Sequence, residues 1–326
     1  MQHRHDLMYG HVKLFSGTGN LPLAEKVGQY LGTGLSEREI IEFPNENLFV
    51  QLSGSVRGQD CYVIQSTSRP VHRNLMELLI LMQTLRLDSA ARVTAVIPYM
   101  CYARSDKKDQ PRVPITARLV ADMIECAGAD RYIAVDLHAG QIQGFFNIPG
   151  DVITSYHHLT QNLLDRLHEM HDPVVVSADL GFAKRARNVA QQLNLPLAFV
   201  EKRRTGNDAK ASALSVIGDV DGHDAILVDD EVDTGGSMCN AINILKDRGA
   251  HEVYVNFVHP VFSANCVDKL LAAPAKEYIT TDSIPISEET AARFGDRLSI
   301  VSISSLLGEV IHRANHGISV GSLFNE

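Results

Sequence analysis

Ala225-Ile-Leu-Val-Asp229-Asp230-Glu231-Val-Asp233-Thr234-Gly235-Gly236-Ser237 is the stretch on which the reading of this chain turns. Its four apolar residues, 225–228, read as a buried strand, and the Gly-Gly-Ser that follows opens a helix expected to run to about Arg248. Four carboxylates and a Thr-Gly-Gly-Ser turn lie between them. Free backbone N–H groups at a turn and a helix N-terminus attract anions. A bare phosphate loop, however, would not set four carboxylates beside its anion. The mixture suits a ligand with a phosphate at one end and hydroxyls, or hydroxyls plus a metal, at the other, and a sugar phosphate fits that description. The plainer alternative is an acidic surface turn capped by Thr and Ser.

Length and composition narrow the field. The 326 residues leave room for two domains of ordinary size, and 45% hydrophobic with 21% charged residues is the balance of a soluble globular protein. A net charge of −9 argues against general nucleic-acid binding, although a local basic pocket remains compatible with it. Cys61, Cys101, Cys126, Cys239 and Cys266 are scattered, with no C-x-x-C and no Cys/His metal spacing, which suits reduced thiols in the cytoplasm. The polar, His-rich N-terminus lacks the apolar core of a signal peptide, and no apolar run approaches membrane-spanning length. The expectation is a soluble, cytoplasmic protein with neither nucleic acid nor membrane as partner.

Outward from the opening stretch, strands alternate with helices. Strands are expected at 12–15, 48–52, 61–65, 93–97, 132–136, 174–176 and 197–200; helices at 21–31, 74–87, 115–127 and 157–170. That alternation implies an α/β fold with parallel sheets and crossover helices. Residues 102–114 are polar, basic and Pro-punctuated, the composition of a functional loop. Val56-Arg-Gly58-Gln-Asp60 before one strand matches Val220-Asp-Gly222-His-Asp224 before the strand at 225, and in both copies a loop, a helix and a second strand follow. Two related α/β halves are the natural reading, divided near residues 150–156. The first copy has Ser66-Thr-Ser-Arg-Pro70 where the second has its acidic loop, so only one half retains the sugar-phosphate chemistry.

Three further stretches carry chemistry. Asp136-Leu-His138 follows a strand directly, where parallel sheets bind ligands, although an Asp–His pair with no ligand reads equally well. Ser177-Ala-Asp179 puts another carboxylate at a strand end. Mg²⁺ is held by one or two protein ligands plus substrate oxygens, but rarely takes a His, so residue chemistry alone does not assign His138 to it. Glu201-Lys202-Arg203-Arg204-Thr-Gly reads as a mobile basic flap suited to a polyphosphate, or as a solvated basic loop. There is no G-x-x-x-x-G-K-[ST] motif of the Walker type.

With Val93 to Ile115, Asp136 to Phe146, Glu201 to Arg204 and Ile226 to Ser237 together in order, the chain resembles the ribose-phosphate pyrophosphokinase (phosphoribosyl pyrophosphate synthase) family from about Leu14 to Phe324. The resemblance implies two tandem phosphoribosyltransferase-like domains, 1–153 and 154–326, each a mainly parallel sheet flanked by helices. The last dozen or so residues would pack on the N-terminal domain. It implies dimers assembled into hexamers, and transfer of the β,γ-diphosphoryl group of Mg-ATP to ribose 5-phosphate. Asp229 and Asp230 would take the ribose hydroxyls and their metal, and Asp233, Thr234, Gly235, Gly236 and Ser237 the 5-phosphate. Lys202 and Arg204 would be catalytic. Phe43, Asn45, Asn47, Arg104, Ser105 and His138 would meet ATP, with Phe43 reaching in from a neighbouring subunit. His138 and Asp179 would hold Mg²⁺. Arg57, Lys108, Arg112, Gln143 and Ser319 match a regulatory phosphate site.

The chain departs from the family pattern at several of these places. Phe-Ser-Asp-Gly-Glu is Phe43-Pro-Asn45-Glu-Asn47, so two carboxylates have become amides; an Arg-Gln pair is Arg104-Ser105. Ser-Pro-Asp-x-Gly-Gly is Ser177-Ala-Asp179-Leu-Gly181-Phe182, with a ring where a small residue is usual. Gly140 stands for an Asp, and Ser-Val-Ser is Ser319-Val-Gly321. The competing readings are a non-catalytic regulatory subunit of the same family and a phosphoribosyltransferase. Retention of Lys202, Arg204 and His138 speaks against the first, and the paired halves against the second.

Overall fold

The computed structural model describes residues 9–179, 181–204 and 212–323; for residues 202–204, 212–214 and 322 it describes the backbone alone. The chain forms two compact units: residues 1–154 with 283–285 and 302–325, and residues 155–282 with 286–301. Among the described residues, no helix is long and apolar enough to cross a membrane.

The first unit runs β1 (Val12–Ser16), α1 (Leu21–Leu31), β2 (Arg38–Glu42), β3 (Leu48–Leu52), β4 (Asp60–Ile64), α2 (Val71–Leu87), β5 (Arg92–Ile97), α3 (Thr116–Cys126), β6 (Arg131–Val135) and β7 (Gly150–Ile153). Strands β1-β4-β5-β6-β7 make a wholly parallel sheet, and β2 and β3 a separate antiparallel hairpin. Every residue of β4 and β5 is buried, as expected for central parallel strands covered on both faces. Leu78, Leu81, Met82 and Leu85 of α2 pack with Val120 and Ile124 of α3 against Val63, Val93 and Ala95. Each such aliphatic side chain contributes about 1.5–3 kcal/mol by leaving water. Asn20 starts α1 by accepting the Leu23 N–H.

The second unit runs α4 (Tyr156–Leu164), β8 (Val174–Ser177), α5 (Ala183–Leu193), β9 (Leu197–Arg204), β10 (Ser212–Ile217), β11 (Ala225–Val232), α6 (Gly236–Asp247), β12 (Val253–Pro260), α7 (Cys266–Ala272), β13 (Glu277–Thr281), α8 (Glu288–Phe294) and β14 (Leu298–Val301). Its sheet has the order β10-β9-β8-β11-β12-β13-β14, parallel except for the β9–β10 hairpin. The chain then forms α9 (Ser304–His316), which belongs to the first unit and lies on α1: the Tyr30 ring sits against Gly308 and its hydroxyl donates to Glu309 at 3.0 Å.

The repeat read in the sequence is a repeat of geometry. Val56 and Val220 are both buried, and Gly58 and Gly222 both take left-handed backbone (φ 70° and 77°). The N–H groups of Gly58 and Gly222 donate to Ser89 and Gly249 at 3.0 and 2.9 Å. Asp60 and Asp224 are both buried. With β4 set on β11, the β1-β4-β5-β6-β7 order superposes on β8-β11-β12-β13-β14, and the β2–β3 and β9–β10 hairpins occupy the same place in chain order.

Several expectations need correction. The helix expected over 157–170 stops at Leu164, because Arg166 leaves the axis to donate to Glu277 and Ser299; a 3-10 turn at 167–169 follows. Helix α2 starts at Val71, three residues before the expected Asn74. Strand β11 continues through Asp229, Asp230 and Glu231 to Val232, because β12 pairs beside it as far as Pro260. The backbone of residues 201–204 is likewise strand, paired with β10, rather than loop.

Candidate active site in the second unit

The carboxylates converge at the C-terminal edge of the second sheet. Asp229 lies on β11 with Asp230 beside it, and Asp179 follows β8, the adjacent parallel strand. Asp230 is buried and Asp179 exposed. Burial first, then the charges of Asp230 and Asp179, raise the Asp229 carboxyl well above the ordinary carboxylate range. A cation among the three would relieve that repulsion. Among the described residues no group of three or more His, Cys, Asp or Glu side chains could hold a metal ion by itself. One or two carboxylates completed by ligand oxygens and water is the arrangement Mg²⁺ favours, so the donor set fits that ion.

Each carboxylate is held from its backbone outward. The Phe182 N–H donates to Asp179 Oδ1 at 2.9 Å, and Ser177 Oγ donates to the Asp179 carbonyl at 2.6 Å. Tyr156 Oη donates to the Asp229 carbonyl at 2.5 Å. Asp233 accepts from Ser263 Oγ, and the Ser263 N–H donates to the Asp233 carbonyl at 3.0 Å.

The turn after β11 has the backbone shape that suits an anion. Gly235 takes φ +75° as the residue preceding α6, and a Cβ there would lie 2.9 Å from Cys266 Sγ, so only glycine fits without strain. Lys269 Nζ donates to the Thr234 carbonyl at 2.9 Å, fixing the turn from outside. Thr234 and Ser237 are exposed, Gly236 is half-buried, and the first-turn N–H groups of α6 have no intrahelical acceptors by construction. A phosphate there, with hydroxyls toward Asp229 and Asp230, matches the sugar-phosphate reading.

The first unit shows why its equivalent edge offers no such site. Ser16 pairs with Ile64 as Ser177 pairs with Val228, so Thr18, Gln65 and Ser66 stand where Asp179, Asp229 and Asp230 stand in the second unit. All three are neutral and engaged within the protein: Gln65 Oε1 accepts the Gly19 N–H at 2.8 Å, the exposed Thr18 donates through Oγ1 to Glu77 at 2.9 Å, and Ser66 Oγ donates to the Ser283 carbonyl at 2.6 Å.

Elsewhere in the first unit, Asp136 adopts φ 41° and accepts from Thr154 Oγ1 at 2.9 Å, and His138, after β6, is exposed. Phe43, Asn45 and Asn47 are exposed at the tip of the β2–β3 hairpin, closed by the Phe43 N–H to the Asn47 carbonyl at 2.9 Å. Arg104 is exposed; Ser105 accepts the Ala117 N–H through its carbonyl, at 3.1 Å, and so starts α3. Arg57, Lys108, Arg112, Gln143 and Ser319 are all exposed, and the Ser319 carbonyl accepts from Arg313 at 2.9 Å. The side chains of Lys202 and Arg204 lie outside the described residues.

Comparison with known proteins decides the family. Residues 12–128 match the N-terminal domain of ribose phosphate pyrophosphokinase, and residues 206–325 the phosphoribosyl synthetase-associated domain. The chain is 42% identical over 317 residues to a ribose-phosphate pyrophosphokinase of Aquifex aeolicus, covering 96% of this chain and 99% of the relative. It is 44% identical over 314 residues to one of Caldanaerobacter subterraneus, covering 96% and 98%. The chain belongs to the ribose-phosphate pyrophosphokinase family. A crystal structure of phosphoribosylpyrophosphate synthetase from Mycobacterium smegmatis has the same fold, with a TM-score of 0.87, 39% identity, and 93% of this chain and 98% of that one covered.

Reading the sequence for this ribose-phosphate pyrophosphokinase family member missed Tyr156 and Ser263 as supports of the acidic edge. Both act across 73 and 30 residues of sequence, and neither stands in a motif. Only the ring at Phe182, unusual for the family, gave a signal.

Proposed function

We propose that the chain transfers the β,γ-diphosphoryl group of ATP to O1 of ribose 5-phosphate, giving 5-phosphoribosyl 1-pyrophosphate and AMP. The O1–Pβ bond forms as the bond from Pβ to the AMP oxygen breaks, and the O1 proton passes to solvent. The observation that carries this reading is the acidic edge of Asp179, Asp229 and Asp230 beside the glycine cradle of Gly235 and Gly236, in a chain aligned end to end with enzymes of that name.

The 5-phosphate sits on Asp233–Ser237, with the ribose hydroxyls at Asp229 and Asp230. Lys202 and Arg204 neutralise charge on the phosphates as it redistributes, which is the main catalytic task in phosphoryl transfer. Phe43, Asn45, Asn47, Arg104, Ser105 and His138 meet the nucleotide. His138 and Asp179 are assigned to Mg²⁺, which when bound supplies charge neutralisation at the phosphate oxygens. Arg57, Lys108, Arg112, Gln143 and Ser319 are assigned to an inorganic phosphate effector. Phe43, 45% exposed at a hairpin tip, supports assembly into dimers and hexamers in which it meets a neighbour. A cytoplasmic setting accords with five free cysteines.

³¹P NMR of the products tests the reaction class. AMP and a C1-linked diphosphate in equal amounts are expected; ADP with a ribose bisphosphate would overturn diphosphoryl transfer. Gly235→Ala tests the cradle. Its added methyl meets Cys266 in a backbone region that disfavours alanine, so we expect a cost of about 1–3 kcal/mol in local strain. KM for ribose 5-phosphate should rise about tenfold or more, with KM for ATP little changed.

A further inference from the structure

Two aromatic rings connect the two sides of the acidic edge. Tyr156, at the start of α4, donates its hydroxyl to the Asp229 carbonyl at 2.5 Å. Its ring faces that of Phe182 at a centroid distance of 5.6 Å, tilted by 48°. Phe182 in turn precedes α5, and its N–H holds Asp179 Oδ1 at 2.9 Å. Both rings are 6% exposed, so the connection is packed and hydrogen-bonded at both ends. The Arg185 guanidinium lies 5.8 Å from the Phe182 ring centroid and steadies it from the helix side.

We propose that Tyr156 and Phe182 are positioning residues that act as a strut, fixing the separation of Asp179 from Asp229 and thereby the gap that accepts the metal-bearing triphosphate. The inference rests on the proposed function for its substrate, and on the second unit alone for its geometry. The register between β8 and β11 ends at Ser177 and Val228, so both Asp179 and Asp229 stand beyond the last paired residues of the two strands. A rigid aromatic pair holds the exposed Asp179 at a fixed distance from β11. The 5-phosphate turn has supports of its own, Ser263 at Asp233 and Lys269 at the Thr234 carbonyl.

The test uses Tyr156→Phe, which keeps the ring and removes the hydroxyl, and Phe182→Leu, which keeps an apolar filler and removes the ring. Mn²⁺ affinity is read by EPR on the full chain with a non-hydrolysable ATP analogue, alongside kinetics and thermal unfolding. Each variant should weaken Mn²⁺ binding by about five- to tenfold and lower kcat by a similar factor, and Phe182→Leu, on the Asp179 side, should leave KM for ribose 5-phosphate within about twofold of the parent. The double variant should lose little more than the worse single, because the strut is one device. Full additivity of the two losses would overturn the proposal. Unchanged Mn²⁺ affinity in two folded variants would also overturn it, as would a loss confined to KM for the sugar. If the parent chain made no AMP, the functional reading would fail while Mn²⁺ binding still judged the strut.

Discussion

Lys202→Ala protein will form AMP about a thousandfold more slowly than the parent chain, with its thermal midpoint unchanged. Lys202 lies on β9, whose backbone pairs with β10 in antiparallel register, Lys202 opposite Leu214. The hairpin is therefore held by main-chain hydrogen bonds that survive the substitution. On the proposed function, what is lost is a cation at a triphosphate whose charge shifts as the bond to AMP breaks, and the carboxylates of the acidic edge cannot supply it. Arg204→Ala should cost a similar factor, and the double variant far less than the product, since both serve one transition state. Single-turnover AMP formation at saturating substrates measures this, and a loss of less than tenfold would remove Lys202 from the catalytic step.

The largest stability effect is expected at the opposite end of the first sheet. Asp60 is completely buried, and Arg92 meets it twice, Nε at 2.8 Å and Nη2 at 2.6 Å. Tyr62 Oη and Asn315 Nδ2 also donate to the same carboxylate, at 2.9 and 2.8 Å, while Arg92 reaches the Ala314 carbonyl at 3.1 Å and stacks on Tyr9. Asp60→Ala leaves the guanidinium buried without its counter-charge and frees the end of α9. We expect a loss of about 3–5 kcal/mol, or roughly 10 °C in thermal midpoint for a unit of this size. Its repeat counterpart should behave differently. Asp224 accepts the backbone N–H groups of His171 and Glu252 and pairs with a His251 side chain that is 60% exposed, so Asp224→Ala should cost about 1–3 kcal/mol. Urea unfolding of both variants checks the ranking, and equal losses would contradict this account of the two halves.

The duplicated Val-x-Gly-x-Asp motif shows how much the sequence discloses. It gave the repeat because a left-handed turn demands glycine and a buried acceptor demands a carboxylate, two needs that restrict residue identity. Continuous apolar runs such as Val93–Ile97 announced buried parallel strands for the same reason. The extension of β11 through Asp229–Glu231 was not legible, since carboxylates carry no strand signal and the pairing is imposed by β12. Helix α5 was legible but not read: Ala186, Val189, Ala190 and Leu193, its buried residues, recur at the i, i+3, i+4, i+7 spacing of one helix face, although two of the four are alanines with little apolar weight. At the candidate site, the residues proposed to touch ligand were legible as motif letters. The supports were not: Tyr156 serves Asp229 through its hydroxyl and a backbone carbonyl, a contact that leaves no local pattern.

AMP production by the purified chain with Mg²⁺ and ATP, in the presence and absence of ribose 5-phosphate, tests the central claim most directly. The account predicts AMP only when the sugar is present, in amounts equal to sugar consumed. Absence of AMP with the sugar present would contradict it and favour a non-catalytic subunit, with the hairpin at Phe43, Asn45 and Asn47 the first place to look.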